Sequence, residues 1–323
     1  MRKILTGLLL GAMLAGGQAY AAEVHWDGNA GIKYENDTMA GAADVSGFMY
    51  SLRLNGELVM GQGWSLYARL GAQYATEPGV SDYNTDFYDN DKKGVLAIDQ
   101  FGLKYKTGTF VYKLGRQDVT IGAMEMLYSR HEDNVGRYTF VDGLSFEGKS
   151  GKADINGILA QEDNDSDADN RLYAVRVGSD VQPDLNLGVT LARYDYRDGA
   201  GMDTNHIGLD GTYKSGKHTW TMGLAKSNAS VDNKAFAVQW NYDFNDNTSI
   251  YAMAYRVEPN ADMGGQSDLD SNNRGFKYGI VQNLSKQDSV EVCYTNQKTL
   301  RDSDDVPAGT HNTKIEAMFS HTF

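Results

Sequence analysis

The sequence predicts an all-β chain, a 16-stranded antiparallel transmembrane β-barrel, and three observations carry that prediction. Apolar and polar side chains alternate along most of the chain. The connections between alternating stretches fall into a short class and a long one. Aromatic residues gather beside the short connections. Side chains on a strand point to opposite faces with a period of two, so sustained alternation makes one greasy face and one polar face. A barrel with lipid outside and water inside requires that arrangement on every strand.

The clearest stretch lies between residues 46 and 75. Phe48, Tyr50, Leu52, Leu54, Leu58 and Met60 share one parity, while Met49, Ser51, Arg53, Asn55 and Glu57 share the other. Gly61-Gln62-Gly63 reverses the chain. The pattern then resumes with Trp64, Leu66, Ala68, Leu70, Ala72 and Tyr74 against Ser65, Tyr67, Arg69 and Gln73. Arg53, Glu57 and Arg69 sit in mid-strand, where a soluble sandwich more often keeps its charges beside solvated edges.

Before this hairpin comes a strand over about 24–35, with Trp26, Ala30, Ile32 and Tyr34 on its apolar face. After it comes a polar segment, 76–94, and a second hairpin: Phe101, Leu103 and Tyr105, a turn at Lys106-Thr107-Gly108, then Phe110, Tyr112 and Leu114. Further strands read near 135–148, 153–162, 171–180, 186–197, 204–214, 218–228, 234–244, 248–257, 274–285, 288–298 and 311–323, sixteen in all. Short turns stand at Lys149–Lys152, Lys214–Lys217, Asn245–Asn247 and Ser285–Gln287; longer acidic connections stand at 163–170, 258–273 and 299–310. Short turns at one rim and long loops at the other mark an up-and-down barrel, and an even strand count puts both ends of the barrel at the short-turn rim. On the apolar parity, Trp64, Tyr105, Phe110, Tyr213, Trp220, Phe244 and Phe323 all lie beside short turns or the chain end. That is a girdle at one membrane interface, where amphipathic rings prefer to sit.

The first residues read as an export signal. Arg2 and Lys3 precede an apolar run from Ile4 to Leu14, and Ala19-Tyr20-Ala21 is a small-x-small cleavage site. Cleavage after Ala21 leaves 22–323 as the barrel domain. It removes two basic residues and no acid, so the net charge becomes more negative than −13. No other stretch approaches the roughly 20 apolar residues that a spanning helix needs. The mean hydropathy of −0.50 does not oppose a barrel, because half of each strand faces water. A single cysteine, Cys293, excludes an internal disulfide.

Several local patterns resemble the general bacterial porin family, the trimeric channels of Gram-negative outer membranes. Phe101-Gly102-Leu103-Lys104-Tyr105, the turn, and Leu114-Gly115-Arg116-Gln117 resemble the family's paired strands before its constriction loop. Arg130, Asn134, Arg137 and Tyr138 resemble the strand that leaves that loop. Ile315, Ala317, Phe319 and Phe323 are similar to its C-terminal assembly signal, although His321 stands where a large apolar residue is usual. The resemblance covers the whole mature chain. It implies a homotrimer in the outer membrane of a Gram-negative-type bacterium, in contact with lipid and lipopolysaccharide, passing ions and small hydrophilic solutes. It implies no cofactor, no metal and no nucleic-acid partner.

The resemblance also implies an inserted loop, here about 118–134, that narrows the lumen. This segment is shorter than its counterparts and lacks a glycine-rich tip, which leaves open whether it enters the barrel. Parity places the basic residues Arg53, Arg69, Lys104, Lys113 and Arg137 on the pore wall, and the family design would set them opposite Asp118 and Glu125 of the loop. Strict alternation puts Arg116 on the lipid face with Leu114, unless a bulge at Gly115 turns it inward. The run Asp163–Asp169 is not an EF-hand, since Ala168 and Ala174 occupy the positions of its glycine and glutamate.

A substrate-specific channel binding a small anion or sugar is the alternative reading, kept open by the basic side of the first six strands. An outer-membrane enzyme is disfavoured because His25, His131, His206, His218, His311 and His321 are scattered and none sits in a recognisable serine motif. A soluble exported β-protein is disfavoured by the girdle.

Overall fold

The computed structural model describes residues 23–80, 93–163, 169–197, 201–303 and 306–323. The export segment, most of the 76–94 connection and the middle of the 163–170 loop lie outside the described residues. The chain runs through β1 (Glu23–Met39), β2 (Val45–Gly61), β3 (Trp64–Ala75), β4 (Gly94–Thr107) and β5 (Phe110–Gln117). Two short strands follow, β6 (Val119–Ile121) and β7 (Tyr128–Arg130). Then come β8 (Val141–Ser150), β9 (Ala153–Glu162), β10 (Arg171–Gln182), β11 (Leu185–Asp195) and β12 (Thr204–Ser215). The last six are β13 (His218–Ser227), β14 (Lys234–Asn245), β15 (Thr248–Val257), β16 (Asn273–Asn283), β17 (Asp288–Thr299) and β18 (His311–Thr322).

All but β6 and β7 pair antiparallel with their chain neighbours into one closed barrel, sealed where β1 meets β18. At the seam Gly28 and Phe323 exchange both backbone hydrogen bonds, at 3.1 and 3.0 Å. Glu23 pairs with Val59 beside the Gly61–Gly63 turn, so the barrel begins and ends at the short-turn rim. The sixteen wall strands are those expected from alternation. The difference lies after the inserted loop, where β8 starts at Val141 rather than near 135. Gly136 has φ 123° and Arg137–Thr139 forms a helical turn, so that stretch approaches the wall without joining it.

Burial follows parity. On β11, Leu187, Val189 and Leu191 are exposed while Gly188, Thr190 and Ala192 between them are buried. Large apolar residues exposed all round a closed sheet form an outer belt suited to hydrocarbon. Beside the short turns the rings touch: Trp64 stacks on Tyr105 at 4.4 Å between centroids, Tyr105 approaches Tyr112 at 6.5 Å, and Tyr112 approaches Phe146 at 6.3 Å. A second run links Trp220, Trp240, Tyr242 and Phe244.

Arg116 follows strict alternation and not the bulge. The β4–β5 register runs unbroken through Gly102↔Gly115 and Phe101↔Arg116, so no bulge turns Arg116 inward. It stays on the outward parity, at the long-loop end of its strand. There it makes a two-pronged ion pair with Asp142, opposite it on β8, at 2.9 and 2.7 Å. Asp163 closes on the same guanidinium, and Nη1 donates to the Arg137 carbonyl at 2.9 Å. Removing one partner of a buried ion pair strands the other, whereas exposed pairs matter little. Arg116→Leu should therefore lower the unfolding free energy of the detergent-refolded barrel by about 3 kcal/mol. A urea titration showing less than about 1 kcal/mol, the range of surface pairs, would contradict this account.

Candidate pore lining

The interior is divided by the segment between β5 and β8, which folds into the barrel. It enters as β6, turns through Ala123–Glu125, returns as β7, and the two short strands pair antiparallel. The question left open by its length is thus answered by what it packs against. Its tip reaches the far wall, where small inward-facing residues leave room. A Cβ on Gly223 would lie 2.9 Å from Ala123 Cβ and 3.3 Å from Met126 Cε, and one on Gly208 would lie 3.7 Å from Leu127 Cδ1. Met126, Leu127 and Tyr128 are fully buried there, against inward alanines such as Ala225, Ala235 and Ala237.

A second segment, 258–272, folds in beside the first. Met263 N donates to the Leu127 carbonyl at 2.8 Å, and Ser129 N donates to the Gln266 carbonyl at 2.7 Å. Ala261, Met263 and Leu269 join the same apolar cluster. His206 Nδ1 lies 3.1 Å from the Ala261 carbonyl, which fastens the segment to β12. Burial pushes Asp262 up to about 6, against hydrogen bonds from Ser267 N and Ser271 Oγ at 3.1 and 3.0 Å. The result is an apolar mass packed against the long-loop half of the wall along β8–β15.

Polar groups hold the loop at both roots. On the β9–β11 side Glu162 is buried, receives the hydroxyls of Tyr128 and Tyr194 at 2.8 and 2.9 Å, and lies 3.4 Å from Arg130. On the β2–β4 side Arg69 donates to the carbonyls of Glu132 and Asn134 at 2.5 and 2.7 Å, and Arg53 donates to that of Asp133. Arg69 also pairs with Asp99 through two bonds of 2.8 and 2.9 Å, and Asp99 accepts from Gly136 N at 3.2 Å. Asp99 escapes a parity reading because the β3–β4 register slips between Arg69/Gln100 and Leu70/Ile98. The only signal for it in the sequence is an acid inside an apolar strand.

The sequence-predicted site residues separate into three groups. Arg53, Arg69, Lys104 and Lys113 line one cavity of about 440 Å³, together with Asp118, Glu57 and Glu132. Two of these cations anchor the loop rather than stand free of it. Lys104 binds Glu57 at 2.7 Å, and Lys113 lies 3.9 Å from Asp118. Glu125 sits elsewhere on the loop, hydrogen-bonded to Ser129 Oγ at 2.5 Å and 3.4 Å from His131. It does not line this cavity, so Glu132 rather than Glu125 shares a chamber with the arginines. Arg137 is not on the pore wall. It lies on the turn before β8, half-exposed, 3.7 Å from Asp163 on the outward side. Alternation does not apply to this stretch, because it is a helical turn and not a strand. Among the described residues no cluster of His, Cys, Asp and Glu could hold a metal.

His131 is pushed up to about 9, first by its hydrogen bond with Asp133 and further by the charges of Glu125 and Glu132, against burial. Asp133 is held below the usual carboxylate range, first by the same bond. A histidine whose folded value exceeds its unfolded one stabilises the fold fully below about pH 6.5, and the benefit is lost as pH rises through the folded value. Thermal unfolding should therefore favour the unmodified barrel over His131→Gln at pH 6, with the gap closing by about pH 10. A gap that stays constant would contradict the assignment.

No protein-family model and no curated protein sequence matches the chain. Solved structures do match in shape. The anion-selective porin from Comamonas acidovorans is 16% identical, covers 94% of this chain and 100% of its own, and superposes with a TM-score of 0.60. A loop-deletion form of OmpT, an outer membrane protein of Vibrio cholerae, is 14% identical, with coverage of 93% and 100% and a TM-score of 0.59. A triple mutant of the Rhodopseudomonas blastica porin is 12% identical, with coverage of 92% and 100% and a TM-score of 0.57. The likeness establishes the fold: this chain is a closed sixteen-stranded barrel of the porin type.

Proposed function

We propose that the protein is an outer-membrane porin conducting ions and small hydrophilic solutes passively. The observation that carries this reading is the division of the interior. Apolar packing occupies the long-loop half of the lumen along β8–β15, whereas the side formed by β16–β18 and β1–β5 keeps a polar face of paired charges. Lys33 with Glu35 at 2.9 Å, Lys314 with Glu316 at 3.6 Å, and Lys104 with Glu57 are its rungs. A polar face inside an apolar belt is the arrangement of a water-filled passage through lipid. The likeness to solved porins supports a channel over an enzyme.

The wall carries Arg53, Arg69, Lys104 and Lys113, and the loop brings Asp118 and Glu132 to the same chamber. Because Arg69 is bound by Asp99 and Arg53 lies 3.5 Å from Asp133, Lys113 and Asp118 are the pair best placed to bias passing ions. The Comamonas porin is described as anion-selective, and OmpT is known in a trimer form. We extend the trimer to this chain as part of the proposal, with lipid and lipopolysaccharide around it and export through the segment 1–21.

Planar-bilayer recording of refolded residues 22–323 tests this reading. It predicts large, salt-proportional steps in groups of three; absent steps would overturn it. Relative to the unmodified channel, Lys113→Glu should shift the reversal potential toward cations and Asp118→Lys toward anions. Both shifts should shrink between 0.1 and 1 M salt, as the screening length falls from ~10 to ~3 Å. Unshifted potentials would remove this pair from the ion path.

A further inference from the structure

The outward parity carries a row of cations at the long-loop rim of β13–β17. Lys226 pairs across strands with Lys234, Phe236 with Arg256, Arg256 with Arg274, and Arg274 with Lys298. Each cation lies at, or one residue from, the long-loop end of its strand. Lys226, Lys234 and Arg274 are exposed on the face turned to lipid. Lipid-facing cations are costly at mid-membrane and cheap near the headgroups, which sets this row at headgroup level.

Elsewhere at this rim the outward cations are answered from within the chain. Arg116 has Asp142 and Asp163, and Arg193 on β11 has Asp195 and Asp203. Along β13–β17 Glu258 stands beside the row, and Arg256 takes it at 2.9 Å. Asp232 is bound by Arg301 at 2.6 Å. Among the described residues no carboxylate forms an ion pair with Lys226, Lys234, Arg274 or Lys298. Four cations in one row are left facing the headgroup layer.

Beneath the row the outer surface is furrowed. One furrow, of about 410 Å³, is lined by Ile207, Leu209, Leu224 and Phe236, with Lys226 and Lys234 at its edge. A second, of about 460 Å³, lies between Phe236 and Phe276, with Arg256, Arg274 and Lys298 at its edge. Ala254 is its floor, because the register sets this small residue between Val238 and Phe276. Phe236 lines both furrows and forms the ridge between them. Neighbouring strands stand about 4.8 Å apart, so Lys226 on β13 and Arg274 on β16 are separated by about 14 Å. One phosphate cannot meet both. An occupant that matches the row carries two phosphates on one headgroup, and one that matches the furrows carries acyl chains on both sides of Phe236.

We propose that this face holds one molecule of a lipid with two phosphates and several acyl chains, the chemistry of the lipid anchor of lipopolysaccharide. One phosphate lies on Lys226 and Lys234, the other on Arg274 and Lys298, and the chains fill the two furrows. The proposal rests on the reading of the chain as an outer-membrane porin, which turns the long-loop rim outward. It deepens that reading by naming where on the barrel, and by which residues, such a lipid is held.

Native mass spectrometry of the detergent-refolded barrel, titrated with six-chain lipid A bearing both phosphates, tests the site without requiring conduction. One lipid per barrel should be retained saturably. The same lipid stripped of its phosphates, phosphatidylglycerol with its single phosphate, and inorganic pyrophosphate without chains should each bind about tenfold more weakly or worse. Lys226→Gln, Lys234→Gln and Arg274→Gln together should weaken lipid A about a hundredfold, since each cation near an anionic lipid surface contributes about fivefold. Lys149→Gln, Lys152→Gln and Lys217→Gln, which remove the same charge at the short-turn rim, should retain binding. Ala254→Phe, which keeps every charge and fills one furrow, should weaken it about tenfold. Binding that survives loss of the phosphates, the triple substitution at the row or the filled furrow overturns the proposal. Bilayer steps without selective retention of lipid A overturn the lipid site alone. Selective retention in a barrel that gives no steps upholds the lipid site and overturns the conduction reading.

Discussion

Closure of the sheet is the constraint on which everything else in this structure depends. In hydrocarbon an unpaired backbone amide costs several kcal/mol, so a sheet surrounded by lipid cannot leave an edge. Here the last strand returns to the first over eleven register pairs, Asn29↔Thr322 to Met39↔Asn312. Once the sheet is closed, every strand has an outside and an inside, and side-chain parity becomes a statement about solvent. The outer parity then carries an apolar belt. Arg116, a buried charge on that parity, is tolerated because Asp142 and Asp163 share its face and bind it at the rim.

Closure also creates an interior too wide for wall side chains to fill. The chain fills part of it with itself. Gly208, Gly223 and inward alanines keep one side of the lumen shallow, and the inserted loop seats its apolar tip there. Its polar backbone is turned the other way, with carbonyls satisfied by Arg53 and Arg69. Buried polar groups must be paired, and pairing them fixes where the loop can sit. The segment 258–272 adds hydrogen bonds from the opposite direction. The cavity lined by Arg53, Arg69, Lys104 and Lys113 lies beside this assembly, on the polar side of the wall.

The fold was legible because its signal is local and repeated. Strand alternation, turn residues and girdle aromatics each recur many times, so no single misread residue changes the strand count. The site was legible only in part. Arg53, Arg69, Lys104, Lys113 and Asp118 share one chamber. Arg137 and Glu125 do not join it, because each lies where alternation does not apply, on a helical turn or at a loop tip. Asp99 was hidden by a register slip. The apolar filling has its own signal: Ile158, Leu172, Ala192, Tyr194, Ala235, Ala237, Met253 and Val257 are apolar on the parity that should face water. Strands apolar on both faces announce a second packing partner.

The central claim is that one side of the lumen is dry and packed while the other is open to water. Cysteine accessibility measures this directly. In a Cys293→Ser background, single cysteines at Asn55, on the polar side, and at Ala225, beneath the loop, would be exposed to a membrane-impermeant thiol reagent in the folded barrel. The account predicts rapid labelling at 55 and protection at 225 until the barrel is unfolded. Equal labelling at both positions would mean that the loop does not pack against the far wall, and the division of the interior would fall with it.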